Sequence, residues 1–106
     1  MSVPTRSPEQ RADALAAAMV VRRERARLRT ALKNREIDAV DVILGAPENA
    51  VWAGVKVAWL LECVPGIGEV RADRIMVSLR IARSRRVQGL GERQRAALLE
   101  ELGSQR

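Results

Sequence analysis

Arginine is the side chain through which this 106-residue chain can do most of its chemistry. The sequence holds 17 arginines and two lysines against 13 acidic residues, which gives a formal net charge of +6. It contains no His, Tyr or Phe, and Cys63 is its single cysteine. Catalytic triads with a His base, disulfide frameworks and Cys/His zinc sites are therefore excluded. We expect a binding protein, with no enzymatic activity, no cofactor and no metal.

The basic residues are concentrated in two blocks. Arg22 to Arg35 contains seven bases and one acid, and Arg71 to Arg95 contains eight bases and two acids, so each block carries +6. Two such blocks on a small domain favour a polyanionic partner, most often the phosphate backbone of a duplex. The alternative is that both blocks are solvated helix faces, with arginine preferred over lysine because of the codon usage of a GC-rich genome.

The second block begins with a turn motif whose residue types suit a phosphate. Residues 61–76 read LECVPGIGEVRADRIM, in which a helix ends at Pro65 and a new one starts near Glu69. Glycines at 66 and 68 permit positive φ angles and a close approach of the backbone, and the amides at the new helix start attract an anion. Arg71 and Arg74, three residues apart, can flank the same phosphate. A tight helix–helix turn without a ligand is the alternative, although one Gly and one Pro would suffice for it.

The elements that carry these residues are all helical. Ser7, Pro8 and Gln10 form a capping-box start, and the pattern predicts one helix from Pro8 to Asn34. Its apolar stripe is thin in the first half, which we expect to project or fray. The stripe consists of Ala14, Ala17, Val21, Leu28 and Leu32.

The rest of the chain predicts a compact helical unit. A short helix with Val40, Ile43 and Leu44 inward ends at Gly45. Trp52 and Trp59, seven apart, share one helix face if the turns continue past Gly54, and core packing is their expected role. Beyond the hairpin we expect Val70, Ile75, Met76 and Leu79 to be buried, and Ser84 to cap a helix start. We therefore expect an all-α chain that forms one structural unit, with an N-terminal extension and long basic helix at residues 1–34 and a helical domain at residues 35–106.

The hairpin and its continuation resemble a known nucleic-acid-binding module. P-G-I-G followed by A-x-x-I is similar to the helix-hairpin-helix motif, and the following basic turn and amphipathic helix look like a helix-two-turns-helix module. That module occurs in a small-subunit ribosomal protein and in base-excision DNA glycosylases. Those glycosylases keep an N-terminal nucleophile and a zinc finger, and the sequence shows neither.

Nearly the whole chain resembles the actinobacterial integration host factor family. The blocks SPEQRADALAAA, PGIG and RRVQGLGERQRAALL match it in order. The resemblance implies a nucleoid-associated protein of the cytoplasm that binds double-stranded DNA with little sequence preference. It also implies DNA bending or compaction and support of site-specific recombination, with a recombinase as a partner. Glu69 and Gln88 depart from the family, which usually has basic residues there, and so does the run from Ala53 to Val55.

These observations fix the candidate site. No run of 18 apolar residues is present, so no membrane span is expected, and we expect a monomer in solution. The alternatives to DNA binding are an RNA-binding or ribosome-associated protein and a protein-interaction domain. The candidate DNA-binding residues are Gly66, Ile67, Gly68, Arg71, Arg74, Arg85, Arg86, Gln88, Gly89 and Arg93. Arg22, Arg23, Arg25 and Arg29 are the candidates for a second DNA contact.

Overall fold

The computed structural model describes residues 7–104, and these form six α-helices without a β-strand. The predicted all-α class is therefore confirmed for that part of the chain. Two single 3₁₀ turns, Ala46–Glu48 and Val87–Gly89, complete the helical elements. None of the described helices is long and apolar enough to cross a membrane. The helices are α1 (Pro8–Lys33), α2 (Ala39–Gly45), α3 (Ala50–Gly54), α4 (Val57–Cys63), α5 (Gly68–Ser78) and α6 (Glu92–Ser104).

Helix α1 begins and ends as its sequence predicts. The Ser7 hydroxyl accepts from the Gln10 amide, and the Gln10 side chain accepts from the Ser7 amide, which completes the capping box. Asn34 caps the other end. Within the helix only Leu28 and Leu32 are buried, so most of the first five turns projects from the domain. The molecule measures 52 × 33 × 26 Å as a result.

The core lies where α2 to α6 pack around the last turns of α1. Its largest fully buried side chains come from every one of these elements except α3, and α4 packs most extensively against α5. Burial of this apolar surface is the main favourable contribution to folding. The core contains no buried charged side chain among the residues described. The largest buried side chains are Leu32, Val42, Ile43, Val57, Leu60, Leu61, Met76 and Leu98.

Two inward-facing predictions are wrong because of helical phase. Leu44 is 53% exposed, and Val42 takes the buried position in α2. Val70 is 70% exposed because α5 buries Ala72, Ile75 and Met76, and residue 70 lies two positions from Ala72 on the opposite side of the helix.

The helical turns do not continue past Gly54, so Trp52 and Trp59 lie on two different helices. The backbone at Val55 and Lys56 is extended, so α3 and α4 are separate helices. Lys56 forms an isolated antiparallel bridge with Arg86, in which the Val57 amide donates to the Arg85 carbonyl at 3.0 Å. Both tryptophans are half-buried against the core, as expected. The division of the chain at residue 34 stays a prediction.

Candidate nucleic-acid interface

The first turn of the site is the hairpin of residues 64–68, and it is built from backbone. Gly66 has φ +88° and Gly68 has φ +67°, the left-handed region that glycine occupies without strain. A Cβ placed on either glycine meets nothing within 4 Å, so both face open space. Ile67 between them is buried and anchors the turn in the core, as the sequence predicts.

The open side of the hairpin is also the start of α5. No side chain caps this helix, so its first amides lack the side-chain acceptor that a Ser or Asp cap would give. Arg71 Nη1 donates to the Gly66 carbonyl at 3.1 Å, which holds a guanidinium beside these amides. Arg74, one turn further on, is exposed and borders a cleft of about 310 Å³ with Arg71, Ser78 and Glu101. Backbone donors and Arg71 thus share the N-terminal end of α5, and Arg74 lies near its middle.

The second turn, residues 83–89, is named here the basic turn, and its arginines hold the fold. Arg85 Nη1 donates to the Gly89 carbonyl at 2.9 Å, and Arg86 Nη1 donates to the Gly54 carbonyl. Arg83 forms ion pairs with Glu62 of α4, at 3.2 Å, and Asp73 of α5, at 3.5 Å. The arginines therefore tie this turn to three helices while remaining exposed.

Side chains around the basic turn complete a shallow, polar surface. Gln88 and Gly89 are exposed, and a Cβ on Gly89 would come within 3.2 Å of Arg85 Cδ, so glycine lets Arg85 pack there. The predicted cap at Ser84 is wrong, because Arg86 occupies the cap position of the 3₁₀ turn. The Ser84 hydroxyl is exposed instead, in a depression of about 300 Å³ with Arg85, Arg86, Gln88 and Gly89.

The two turns lie at opposite ends of α4. The hairpin follows its last residue, and Arg85 and Arg86 pair with the segment before its first residue. Seven helical residues span about 10 Å. The structure therefore brings the hairpin and basic-turn candidates onto one module. Lys56, which sequence reasoning missed, is exposed and joins them through its bridge with Arg86. No local signal marks this pairing.

The remaining candidates are more dispersed. Arg93 is exposed in the first turn of α6. Arg29 of α1 lies 5.7 Å from the Trp59 ring centroid, a cation–π distance that joins it to α4. Arg22, Arg23 and Arg25 are exposed on the projecting part of α1. The structure does not bring these three into contact with either turn.

Cys63 is the last residue of α4, immediately before the hairpin. It is buried, and that burial raises the pKa of its thiol despite the nearby Arg29 guanidinium. A thiol held protonated and shielded is a poor nucleophile. The prediction that Cys63 is a small buried core residue is confirmed.

Comparison with known proteins agrees with this architecture. Residues 32–102 match the family model described as the S13-like H2TH domain. The chain is 48% identical over 104 residues to the integration host factor of Streptomyces coelicolor, covering 98% of this chain and 97% of that protein. It is 45% identical to the integration host factor of Mycobacterium tuberculosis, over 98% and 99% of the two chains.

A solved structure is similar over most of the fold. The structure of sIHF bound to an 8-bp palindromic DNA superposes with a TM-score of 0.78 and 45% sequence identity. It covers 83% of this chain and 99% of the sIHF chain. The module, the near-complete sequence match and the shared fold together show that this chain belongs to the actinobacterial integration host factor family.

Proposed function

We propose that this chain is a nucleoid-associated architectural protein that binds double-stranded DNA with low sequence preference. The observation that carries the proposal is the open hairpin, in which two left-handed glycines precede an uncapped helix start with Arg71 held beside it. Such a helix start is a ready site for a backbone phosphate. A similar chain, sIHF, has been solved bound to DNA, which supports a duplex as the ligand.

The contacts divide into two anchors on the module. Gly66 and Gly68 take one phosphate through the exposed backbone of the hairpin, assisted by Arg71 and Arg74. Ile67 contributes by holding the turn, since it is buried and its amide donates to the Val64 carbonyl at 3.2 Å. At the other end of α4, a second set of residues binds the DNA backbone or a groove edge. The second set comprises Arg85, Arg86, Gln88, Gly89 and Arg93, to which we add Ser84 and Lys56.

Helix α1 supplies a further contact in this proposal. Arg22, Arg23, Arg25 and Arg29 extend the positive field beyond the module, which suits a protein that bends or compacts DNA. We propose that the free chain is a monomer, that it has no enzymatic activity, and that it supports site-specific recombination by shaping the DNA for a recombinase in the nucleoid. Cys63 is shielded, which agrees with a binding protein.

Salt dependence tests the electrostatic mechanism. Neutralising four to seven phosphates gives a slope of log affinity against log salt of roughly −4 to −6 on duplex DNA. Fluorescence anisotropy on random and AT-rich duplexes of equal length should give this slope and similar affinities on both. A slope near −1, or binding confined to one sequence, would contradict the proposal.

RNA binding is the second candidate function. It is favoured by the description of the matched domain as S13-like and by the use of the same module in a ribosomal protein. Competition between the labelled duplex and an unlabelled structured RNA of equal charge separates the two. We expect the duplex to compete at least as well, and displacement by RNA at tenfold lower concentration would favour the RNA function.

A further inference from the structure

The projecting part of α1 has a face that nothing in the monomer covers. Leu15 is 59% exposed and Met19 is 43% exposed, and they lie one helical turn apart. Arg22 and Arg23 continue the same face, and neither forms an ion pair within residues 7–104. Leu28, nine residues or two and a half turns from Met19, points to the opposite side. We call Leu15, Met19, Arg22 and Arg23 the outer face of α1.

A cleft of about 320 Å³ has the complementary chemistry. It lies between the end of α1, the start of α2 and Pro65, next to the hairpin. Its half-buried apolar floor is formed by Ile37, Val40, Val64 and Pro65. Its rim carries Glu36, Asp38 and Asp41 against the single base Arg35, a net charge of −2. We call it the acidic cleft.

One molecule cannot join these two features. Leu32 of α1 itself lines the acidic cleft, and Met19 lies thirteen residues earlier on the same continuous helix. Thirteen helical residues span about 20 Å, so the outer face is held away from the cleft of its own chain. Any contact between them must involve a second copy.

We propose that the outer face of α1 in one copy docks into the acidic cleft of the next copy on DNA. Two arginines meet a rim of net charge −2, and two apolar side chains meet an apolar floor. A DNA backbone could use the arginines but offers nothing apolar to Leu15 and Met19, which favours a second copy. The contact is head-to-tail, so each docked pair leaves one outer face and one acidic cleft unoccupied. Further copies can therefore extend the pair into a row.

The proposal rests on the DNA binding proposed above and fits a monomeric free chain. One helix face in one cleft is far smaller than a stable interface of about 1,200–2,000 Å². The contact becomes populated when neighbouring copies are held side by side on a duplex, because this raises their effective concentration. The cleft opens beside Pro65, so a docked neighbour lies next to the hairpin that takes a phosphate. Cooperative binding to long duplexes follows.

Glu36→Arg separates docking from simple electrostatics. Glu36 is exposed and its carboxylate has no partner among the described residues, so the fold should tolerate the change. The variant gains two positive charges, which should leave affinity for a labelled 8-bp duplex unchanged or higher. Docking predicts that it nonetheless loses about a tenfold cooperative gain on a 40-bp duplex. Glu48→Arg, exposed and outside the cleft, makes the same charge change and should keep cooperativity.

Two further variants identify the occupant. Leu15→Gln with Met19→Gln keeps every charge and should abolish cooperativity without changing 8-bp affinity. Arg22→Glu with Arg23→Glu should lower affinity for the 8-bp duplex, because both arginines also belong to the proposed DNA contact, and should lose cooperativity. An equimolar mixture with Glu36→Arg should regain cooperativity, because the Glu36→Arg copy keeps Arg22 and Arg23 and the other copy keeps its acidic cleft. A Gln variant that stays cooperative, or a mixture that does not recover, would overturn docking between copies.

Measurements on the two duplex lengths distinguish a failure of the proposed function from a failure of the docking alone. Absence of binding to the 8-bp duplex would defeat the proposed function and this inference with it. Binding to the 8-bp duplex with independent binding along the 40-bp duplex would overturn the docking alone. Cooperativity that persists in Glu36→Arg would likewise overturn it.

Discussion

The hairpin and the basic turn are the two proposed anchors for DNA, and they are built by different means. The hairpin exposes backbone amides, and its shape depends on two glycines with positive φ. The basic turn exposes side chains, but Arg85 and Arg86 already donate to carbonyls of the fold and Arg83 pairs with two carboxylates. A backbone site needs no charged side chain of its own, whereas Arg85 and Arg86 serve both the fold and the proposed ligand. The effects of substitutions in the two turns should therefore divide differently between the stability of the fold and the affinity for DNA.

The largest effect is expected from Gly66→Ala with Gly68→Ala. Each left-handed alanine costs roughly 1–2 kcal/mol, and relief of that strain would move the amides at the start of α5. Because an added Cβ meets nothing within 4 Å, internal clash contributes little. We expect DNA affinity to fall more than tenfold, measured by anisotropy at a temperature where circular dichroism shows the variant folded.

Gly103→Ala is the matched control for the glycine pair. It lies near the C-terminal end of α6, has no positive φ, and has equally open surroundings. Its affinity should stay within twofold of the parent chain. Full DNA binding by the folded hairpin variant would place the phosphate site elsewhere on the molecule.

Arg85→Ala with Arg86→Ala should come next in size. We expect affinity to fall about tenfold on all duplex sequences alike, because contacts to phosphate or groove shape carry no base code. Loss of the two hydrogen bonds to Gly89 and Gly54 should also lower the free energy of unfolding, by about 1 kcal/mol for each bond. Urea denaturation and anisotropy on two unrelated duplexes measure the two quantities.

The double variant Arg85→Lys with Arg86→Lys separates the effect of the charge from that of the guanidinium hydrogen bonds. Lysine keeps the charge but lacks the guanidinium fork, so most affinity and the salt slope should remain while stability still falls. If the Ala pair binds as tightly as the parent chain, the basic turn is not part of the interface.

Arg83→Gln should have a smaller effect than either pair. Arg83 lies close to Glu62 and Asp73, so its charge is largely neutralised before DNA arrives. The ion pairs are exposed, and each contributes about 0–1 kcal/mol to stability. We expect a loss of affinity of threefold or less and a change in the salt slope of less than one unit. A loss equal to that of the Arg85 and Arg86 pair would mean that Arg83 contacts DNA directly.

Local signals account for what the sequence could predict. The capping box of α1, the end of α4 before Pro65 and the glycine turn each depend on neighbouring residues, and all three are confirmed. Their physics is contained within about one helical turn, so spacing and residue type suffice.

Long-range pairing explains what the sequence could not predict. The break between α3 and α4 arises because Gly54 to Val57 pair with Arg85 to Val87, about thirty residues away. Nothing local distinguishes Val55 in an extended segment from Val57 in a helix. The same holds for Arg86, whose basic character suggests a ligand contact but not its bond to the Gly54 carbonyl. The roles of the candidate residues toward DNA stay predictions until the substitutions above are measured.

The sharpest test of the hairpin, and the one substitution expected to raise affinity, is Glu69→Lys. Glu69 is exposed in the first turn of α5 and forms no ion pair within residues 7–104. Its carboxylate favours the positive end of the helix, which stabilises the fold by about 0.3–1 kcal/mol. The same charge lies beside the amides proposed to receive a phosphate and opposes that phosphate. Folding and binding therefore make opposite demands on this position.

The lysine variant should bind duplex DNA several-fold more tightly, steepen the salt slope by about one unit, and unfold at a slightly lower temperature. Glu69→Gln removes the charge without reversing it and should lie between the two in both affinity and stability. Isothermal titration at matched salt, with thermal unfolding of all three proteins, measures the trend. Opposite trends in affinity and stability are what a phosphate at the α5 start requires, because one carboxylate serves the helix dipole and repels the ligand. Unchanged or weaker binding by the lysine variant would mean that the hairpin does not face DNA.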